Sequence, residues 1–265
     1  MCKSEAMKSN GNRERVRIFG IDIDVLDFFA VIKVLDEWIL SGRKDCPYVV
    51  TPNVDHIVKL NKNPTFMEAY QKASLVIADG KPVILAARLL GKPLPGTVPG
   101  SDLIPALFEH FNCNQQGLRV FLLGTLPGVL DKATAKIEGT WPHVKVVGTY
   151  SPPQGFEYSM TECEYICSTV SDAQPDMLVL GLGAPKQELW ISRFADRLPV
   201  GVAVCAGATI DFIAGEKSRA PLWMRNCGLE WFYRLLSEPR RLIGRYAYDA
   251  CIFPRLFLRE WISRS

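Results

Sequence analysis

Residues 181–190, Gly-Leu-Gly-Ala-Pro-Lys-Gln-Glu-Leu-Trp, carry residue types that suit an anion site. They follow an apolar segment typical of a buried strand, residues 176–180, and lead into an amphipathic helix. Gly181 and Gly183 allow a sharp turn and a close approach of a ligand, and the free N–H groups of a helix start attract phosphate. The spacing fits neither the dinucleotide nor the ATP-binding fingerprint. The stretch therefore predicts an anion near the turn, with an ordinary strand-to-helix turn as an equally weighted alternative.

Polar residues follow other predicted strands in the same way. They are Thr51 and Asn53, Asp79, and a segment, residues 207–211, that ends in Asp211. Each of them taken singly is explained as a helix cap or a turn former. In a parallel sheet, however, the carboxyl ends of the strands share one edge, and ligands bind at that edge. We therefore expect these residues to form one site with the 181–190 stretch.

The elements that must position these residues are short apolar strands that alternate with amphipathic helices. The predicted strands are residues 16–23, 48–51, 75–78, 120–124, 144–149, 176–180 and 200–206. This alternation predicts an α/β fold, a Rossmann-like, mostly parallel sheet with helices on both faces. Between the third and fourth strands, Ser101 and Asp102 are typical of a helix cap ahead of a helix over residues 103–111.

Composition limits the class of protein. The 265 residues are 48% hydrophobic and 22% charged, which is typical of a globular chain. Eight scattered cysteines with no Cys-x-x-Cys argue against a disulfide scaffold and a zinc site, and favour a reducing compartment. No apolar run approaches the length of a spanning helix. We expect a disordered lead-in at residues 1–15, a core at 16–215 and a helical appendage at 216–265.

The appendage is basic. From Lys217 onwards there are ten basic and four acidic residues, a local charge of +6 in a chain whose net charge is +3. Aromatic side chains alternate with the arginines, and Leu242, Ile243, Tyr246 and Ala250 fall on one predicted helical face. Basic and aromatic residues at this spacing favour a helix that lies on an anionic membrane surface. A helical cap that packs on the core, with solvated arginines, fits the pattern equally well.

Several short motifs resemble those of the WecG/TagA/CpsF glycosyltransferases, in consistent order from about Phe19 to Tyr246. The motifs are Thr-Pro-Asn at 51–53, Ala-Asp-Gly at 78–80, Gly-Ser-Asp-Leu at 100–103, the stretch 181–188, Gly-Ala-Thr-Ile-Asp at 207–211, Arg-Ala-Pro at 219–221, Gly-Leu-Glu-Trp at 228–231, Arg-Leu at 234–235 and Glu-Pro-Arg-Arg at 238–241.

The resemblance implies a bacterial, inverting, metal-independent transferase without a cofactor. Such an enzyme moves a hexose from a UDP-sugar to a saccharide carried on a polyprenyl diphosphate, in cell-envelope or exopolysaccharide synthesis. The implied location is cytoplasmic, with peripheral association at the inner face of the plasma membrane. The donor sugar stays open between N-acetylmannosamine, glucose and a hexuronate, and a homo-oligomer also stays open. Nucleic acid is not an expected partner.

The resemblance also implies roles for individual residues. Asp79 matches the proposed general base, because an acceptor hydroxyl must lose its proton as it attacks. Thr51, Asn53 and Gln187 match residues that line the sugar and diphosphate site, and Asp211 matches an acidic residue beside the nucleoside. The expected substrate-binding residues are Gly181, Gly183, Ala184, Lys186, Asp211, Arg234, Arg240, Arg241 and Arg245, of which the arginines would stabilise the departing diphosphate.

Three features compete with this interpretation. Asp22-Ile23-Asp24 spells the metal-binding Asp-x-Asp pattern of other sugar transferases, although it lies at an early strand end. Asp55-His56 is a second candidate for the base, although an early-helix Asp more often interacts with the helix dipole. Thr97 stands where the family is expected to have Arg, so a catalytically degenerate UDP-binding scaffold protein is the alternative function.

Overall fold

The computed structural model describes residues 13–263, in which a parallel sheet of six strands is covered by helices on both faces. The spatial order of the strands is β4-β3-β8-β7-β5-β6, and every pair in this sheet is parallel. The strands are β3 (Tyr48–Val50), β4 (Leu75–Val76), β5 (Leu118–Gly124), β6 (Val144–Tyr150), β7 (Met177–Gly181) and β8 (Val202–Cys205). The predicted α/β class is confirmed.

The prediction of a single first strand over residues 16–23 is wrong. Residues 16–23 do not enter the main sheet but make a separate antiparallel hairpin of β1 (Arg15–Ile18) and β2 (Ile21–Asp24). The chain reverses at Phe19 and Gly20, whose φ angles are 54° and 81°. Two consecutive residues with positive φ make the tight turn that joins hairpin strands. Phe19 occupies a turn position that usually favours glycine or asparagine. Because Phe is apolar, the sequence shows a continuous apolar run and no turn signal at this point.

The strands bury opposite side chains in two apolar clusters. In β5, Phe121 and Leu123 point into one cluster while Val120 and Leu122 point into the other. The first cluster is covered by α2 (Val54–Leu60), α3 (Pro64–Gln71), α4 (Lys81–Leu89), α7 (Met160–Ala173) and α8 (Lys186–Phe194); the second by α1 (Phe28–Leu40), α5 (Gly100–Cys113), α6 (Pro127–Thr140) and α9 (Thr209–Ala214). Burial on both faces is why the strands read as continuous apolar runs.

Helix α5 begins earlier than predicted. Gly100 is its first residue, and Ser101 and Asp102 lie in its first turn instead of capping it. An added Cβ at Gly100 would lie 3.2 Å from the Cα of Ala206. The glycine therefore lets the start of α5 pack closely against the residue after β8, and Asp102 is available for other contacts.

The C-terminal residues form α10 (Leu222–Asn226), α11 (Glu230–Ser237) and α12 (Pro239–Ile262). Helix α12 packs on the core: Leu242 is fully buried, and the Phe253 ring lies 5.5 Å from that of Phe19 in the hairpin. The predicted apolar face is partly wrong, because Ile243 is 62% exposed and Asp249 is buried. The inward stripe instead repeats at Leu242, Asp249 and Phe253, a spacing that suits a long helix lying across another element.

Among the described residues, no helix combines the length and the apolar character needed to cross a bilayer. Most of the predicted lead-in, residues 1–12, lies outside the described residues. Arg15 at its end is the first residue of β1.

Candidate active site

The carboxyl ends of β3, β4, β7 and β8 lie side by side at one edge of the sheet. After β4 the chain crosses from one side of β3 and β8 to β5 on the other side. A change of direction of this kind opens a crevice outside the strand ends, where open α/β sheets bind ligands. The loops after β3 and β4 carry Thr51, Asn53 and Asp79, and the helices that follow β7 and β8 begin with Gln187 and Asp211 in their first turns.

Asp79 follows β4, and its backbone is fixed to the neighbouring loop. Its N–H donates to the carbonyl oxygen of Pro52 over 2.9 Å, which places it beside Thr51 and Asn53. The residue is half-buried, and desolvation together with the nearby Glu230 carboxylate raises the pKa of Asp79 to about 7. The Arg234 guanidinium opposes this shift. A carboxyl with a pKa near neutrality can accept a proton from a hydroxyl and release it again.

The segment that carries Thr97 runs next to Asp79. The N–H of Val98 donates to the carbonyl oxygen of Ala78 over 2.8 Å, so Thr97 is close to the strand end that holds the candidate base. Beyond it, the Asp102 carboxylate binds the guanidinium groups of Arg219 at 2.6 Å and Arg225 at 3.0 Å. Two cations therefore surround one carboxylate at the start of α5.

Thr51 is buried, and the side chain of Asn53 serves locally as a helix cap. The Asn53 side-chain oxygen accepts from the N–H of His56 over 3.1 Å at the start of α2. His56 itself points into the core, where its Nδ1 lies 2.6 Å from the hydroxyl of Tyr70. Burial lowers the pKa of His56 to about 4. The histidine of the competing Asp55-His56 candidate is therefore buried in the core.

Gln187 connects two loops of the site. Its side-chain oxygen accepts from the N–H of Gly183 at 3.2 Å and from the N–H of Gly207 at 3.3 Å. Its side-chain nitrogen donates to Glu188 at 2.8 Å. The residue is only 2% exposed. The N–H of Gly183, in the predicted anion stretch, is therefore already bonded within the protein.

The other residues of the 181–190 stretch have separate contacts. The carbonyl oxygen of Ala184 accepts from Lys59 at 3.3 Å, and Lys186 pairs with Glu157 at 2.8 Å. An added Cβ at Gly181 would lie 2.8 Å from the Ile210 side chain, so glycine at this position allows α9 to pack against the end of β7. Lys186 is thus held towards Glu157 in this structure.

Asp211 lies in the first turn of α9 and is held from two sides. The hydroxyl of Thr125, which follows β5, donates to one of its oxygens, and Lys217 lies 3.2 Å from the other. Asp211 therefore joins the β5 loop and the start of the basic appendage to the same edge of the sheet. Thr125 was not among the sequence-predicted site residues.

The predicted arginines differ in their environments. Arg234 on α11 is near enough to Asp79 to lower its pKa, and Arg245 on α12 lies 3.8 Å from Asp55 on α2. Arg240 is exposed, and Arg241 pairs with its neighbour Glu238 at 2.5 Å. The structure thus brings Arg234 to the candidate base and Arg245 to α2, while Arg240 and Arg241 lie on the outer surface.

The Asp-x-Asp pattern has structural partners. The Asp24 carboxylate is buried, lies 3.2 Å from Arg13 and 2.9 Å from Arg15, and accepts from the N–H of Val76. Asp22 pairs with Arg17 at 3.2 Å on the exposed face of the hairpin. Within residues 13–263, no group of three or more His, Cys, Asp or Glu side chains is arranged to hold a metal ion.

Several charged residues at this edge were not predicted as site residues, namely Lys59, Asp102, Glu188, Arg219, Arg225 and Glu230. Arg219 and Glu230 lie within the family-like motifs, which was a signal for their importance. Asp102 and Glu188 also lie within those motifs, whereas Lys59 sits on α2 at a position that a periodic pattern cannot distinguish from a surface residue. Only the fold brings Lys59 to the loop that contains Ala184.

Comparison with known proteins gives one family. The profile described as "Glycosyl transferase WecG/TagA/CpsF family" matches residues 16–265. Relatives from Staphylococcus aureus strains MW2 and NCTC 8325 are each 27% identical over 239 residues, which cover 90% of this chain and 91% of the relatives. Both relatives are named N-acetylglucosaminyldiphosphoundecaprenol N-acetyl-beta-D-mannosaminyltransferase. The match extends through the parallel sheet and the C-terminal helices.

Proposed function

Because the chain belongs to the WecG/TagA/CpsF family of glycosyl transferases, we propose that it moves a hexose from a UDP-sugar to a saccharide linked to a polyprenyl diphosphate. The observation that carries this proposal is Asp79. A carboxyl with a pKa of about 7 stands at the ligand-binding edge of a parallel sheet, beside Thr51 and Asn53 and near Arg234. This is the arrangement that a base needs for a hydroxyl acceptor.

The reaction follows as a single displacement with inversion. The acceptor hydroxyl oxygen forms a bond to the anomeric carbon while Asp79 takes its proton, and the bond from that carbon to the UDP oxygen breaks on the opposite side. Negative charge develops on the departing diphosphate. Arg234, which is near enough to Asp79 to lower its pKa, and Arg245, which lies 3.8 Å from Asp55, stabilise that charge without a divalent metal.

Asp211 and the glycine loops support a nucleotide on the other side of the crevice. Asp211 is held by Thr125 and Lys217, so its carboxylate is oriented before a ligand arrives. A preorganised acceptor of this kind suits the hydroxyl groups of a ribose or the N–H of a uracil ring. The nucleoside therefore binds near α9, with its diphosphate directed towards the arginines.

The relatives' name guides the choice of substrates. They transfer N-acetylmannosamine to N-acetylglucosaminyl diphosphoundecaprenol, and we take UDP-N-acetylmannosamine as the first donor to test. Thr97 lies beside Asp79 at the position where Arg is expected, which keeps UDP-glucose and UDP-hexuronates as further donors. The test is a screen of these donors against a short-chain prenyl diphosphate acceptor, read by the mass of the product.

The appendage, residues 216–265, carries the proposed contact with the inner face of the plasma membrane. Its outward side chains include Trp223, Leu236 and Ile243, which are 61%, 64% and 62% exposed. Arginines such as Arg240 and Arg241 lie among them. Exposed aromatic and aliphatic groups beside arginines suit the headgroup region of an anionic bilayer. The acceptor lipid would then enter the crevice from the membrane.

A second function, a UDP-binding scaffold protein without turnover, is favoured by one observation, the threonine at position 97. In that case UDP would bind with ordinary affinity, and no polyprenyl-linked acceptor would be extended by any donor in the screen. Product formation from any donor would exclude it.

A further inference from the structure

We propose that Glu188 is a positioning residue for the UDP site, which acts by fixing the orientation of the Gln187 side chain. The proposal rests on the proposed function, because it assigns the consequence to UDP binding. It begins from an unusual feature: Glu188 is a fully buried carboxyl group that takes no part in the reaction described above.

The local contacts define what Glu188 does. One of its oxygens accepts from the side-chain nitrogen of Gln187 at 2.8 Å. The other oxygen is buried and has no hydrogen-bond partner among the described residues. A glutamate that served only to fill space would be expected to be replaced by an apolar residue, since burying an incompletely bonded carboxyl is costly. The bond to Gln187 is the specific interaction that the carboxyl provides.

The amide of Gln187 has two orientations that differ by exchange of its oxygen and nitrogen. In the observed orientation the oxygen faces two donors, the N–H groups of Gly183 and Gly207, and the nitrogen faces an acceptor. In the flipped orientation the NH₂ group would face both N–H donors, and the oxygen would face the carboxyl of Glu188. The acceptor at Glu188 therefore acts together with the two N–H donors to hold the orientation that satisfies all three bonds.

This orientation joins two loops through a single oxygen atom. Gly183 lies in the loop after β7 and Gly207 in the loop after β8. Both loops border the crevice where the diphosphate is proposed to bind. Without the acceptor at Glu188, the Gln187 amide loses one of the three bonds that hold it, and its shared bond to the two loops is weakened. A ligand would then have to order them itself, which weakens its binding.

The experiment compares Glu188→Leu with Glu188→Gln, whose side-chain oxygen can still accept from Gln187. UDP affinity is measured by calorimetric titration, and donor KM and kcat are measured separately. We expect Glu188→Leu to raise the UDP Kd and the donor KM about tenfold, the size of effect that one buried bond left unmade produces. We expect kcat to change less than about threefold, and Glu188→Gln to retain near wild-type values. An unchanged Kd and KM in Glu188→Leu would overturn the proposal.

Two further measurements separate positioning from loss of stability. Tyr48→Phe removes another buried bond, from the hydroxyl to the carbonyl oxygen of Ala69, and is the matched control that should leave UDP affinity unchanged. The double variant Gln187→Leu/Glu188→Leu should weaken UDP binding no further than Gln187→Leu alone, because Glu188 acts through Gln187. If the double variant weakened UDP binding by the product of the two single-variant factors, Glu188 would act independently of Gln187, and the proposal would be overturned.

Amide hydrogen exchange tests the inference independently of any ligand. The N–H groups of Gly183 and Gly207 should be protected in the wild type and in Glu188→Gln, and should exchange at least about tenfold faster in Glu188→Leu. If the wild-type protein failed to bind UDP, this result would still support the role of Glu188, and the proposed function would be the part that fails. Unchanged protection in Glu188→Leu would overturn the inference even if UDP binds.

Discussion

The backbone N–H of Asp79 donates to the carbonyl oxygen of Pro52 over 2.9 Å, which ties the loop after β4 to the loop after β3. The candidate base is therefore placed by the backbone, and a change to its side chain should leave the loop in position. That separation makes Asp79 suitable for a direct test of chemistry against binding.

Asp79→Asn should reduce kcat by about 10²–10⁴-fold, the usual contribution of a general base. The UDP Kd should stay within about threefold of wild type, since the substitution keeps the shape of the side chain. Initial rates and calorimetric titration give the two values. The control is Asp55→Asn, which removes the competing candidate and its contact with Arg245. Should Asp55→Asn lose more activity than Asp79→Asn, the assignment of the base would have to be exchanged.

The pH profile should report the same carboxyl. Asp79 must be ionised to accept a proton, so kcat/KM should fall as the pH is lowered through about 7. Glu230 raises the pKa of Asp79 and Arg234 lowers it. Glu230→Gln should therefore move the acidic limb to lower pH, and Arg234→Gln should move it to higher pH. If the acidic limbs of the kcat/KM profiles coincided in the wild type, Glu230→Gln and Arg234→Gln, a group other than Asp79 would be titrating.

The raised pKa of Asp79 also has a consequence for stability. Its ordinary value is 3.8, so between about pH 4 and 7 the folded protein binds a proton that the unfolded chain has released. The free energy of unfolding contributed by this group therefore decreases as the pH rises through that window. Asp79→Asn removes the ionisation and should raise the Tm at pH 8 by roughly 2–4 °C, with a smaller gain at pH 5.

The matched control for this stability effect is Asp24→Asn. The Asp24 carboxylate is buried and binds Arg15 and the N–H of Val76. Asp24→Asn leaves these buried donors poorly paired, so it should lower the free energy of unfolding by roughly 1–3 kcal/mol at both pH 5 and pH 8. Thermal unfolding at both pH values distinguishes the two aspartates. A loss of stability in Asp79→Asn at pH 8 would contradict the assignment of a destabilising, partly desolvated charge at that position.

Much of the architecture was predictable because both faces of the main sheet are buried. Its strands appear in the sequence as apolar runs, and the polar residues after them converge on one edge as parallel connectivity requires. The hairpin was not predictable from the same signal, since Phe19 adopts a positive φ of 54° within an apolar run. Periodicity gives no warning when a tight turn uses a bulky residue.

The missing parts of the site depend on contacts between distant segments. Asp102 meets Arg219 across 117 positions of the chain, and no local pattern records that pairing. Asp249 lies on the inward stripe of α12, where burial and the nearby Asp55 carboxylate raise the pKa of Asp249 to about 6. A hydrophobic pattern assigns such an aspartate to the outer face. The motifs identified which residues matter, whereas the fold was needed to show what they contact.

Removal of divalent metal should leave the activity within about twofold of its value without chelator. A metal at the Asp-x-Asp pattern would have to displace Arg15 from Asp24, and the arginines near the crevice can stabilise the diphosphate instead. The measurement is the transfer rate with EDTA and with added Mn²⁺. A metal-dependent glycosyltransferase assayed in the same buffer provides the control. A strict requirement for Mn²⁺ would return Asp22 and Asp24 to the site.

Membrane contact through the appendage should be weakened by charge on its outward face. Complete removal of the appendage is a less specific test, because the inward stripe of α12 covers the core at Leu242 and Phe253. Leu236→Glu with Ile243→Glu changes only exposed positions. This double variant should reduce the fraction that floats with anionic vesicles by about threefold or more, and added salt should weaken the wild-type interaction.

The matched control is Leu40→Glu, since Leu40 is also exposed but ends α1 away from the appendage. Leu40→Glu should float like the wild type. Transfer to a soluble short-chain acceptor should be unaffected in the double variant, whereas transfer to a long-chain acceptor embedded in vesicles should fall with the bound fraction. These opposite outcomes follow because the substitutions alter access to the lipid and leave Asp79 and its neighbours unchanged. If the double variant floated as well as the wild type and used both acceptors equally, a surface other than α11 and α12 would have to carry the membrane contact.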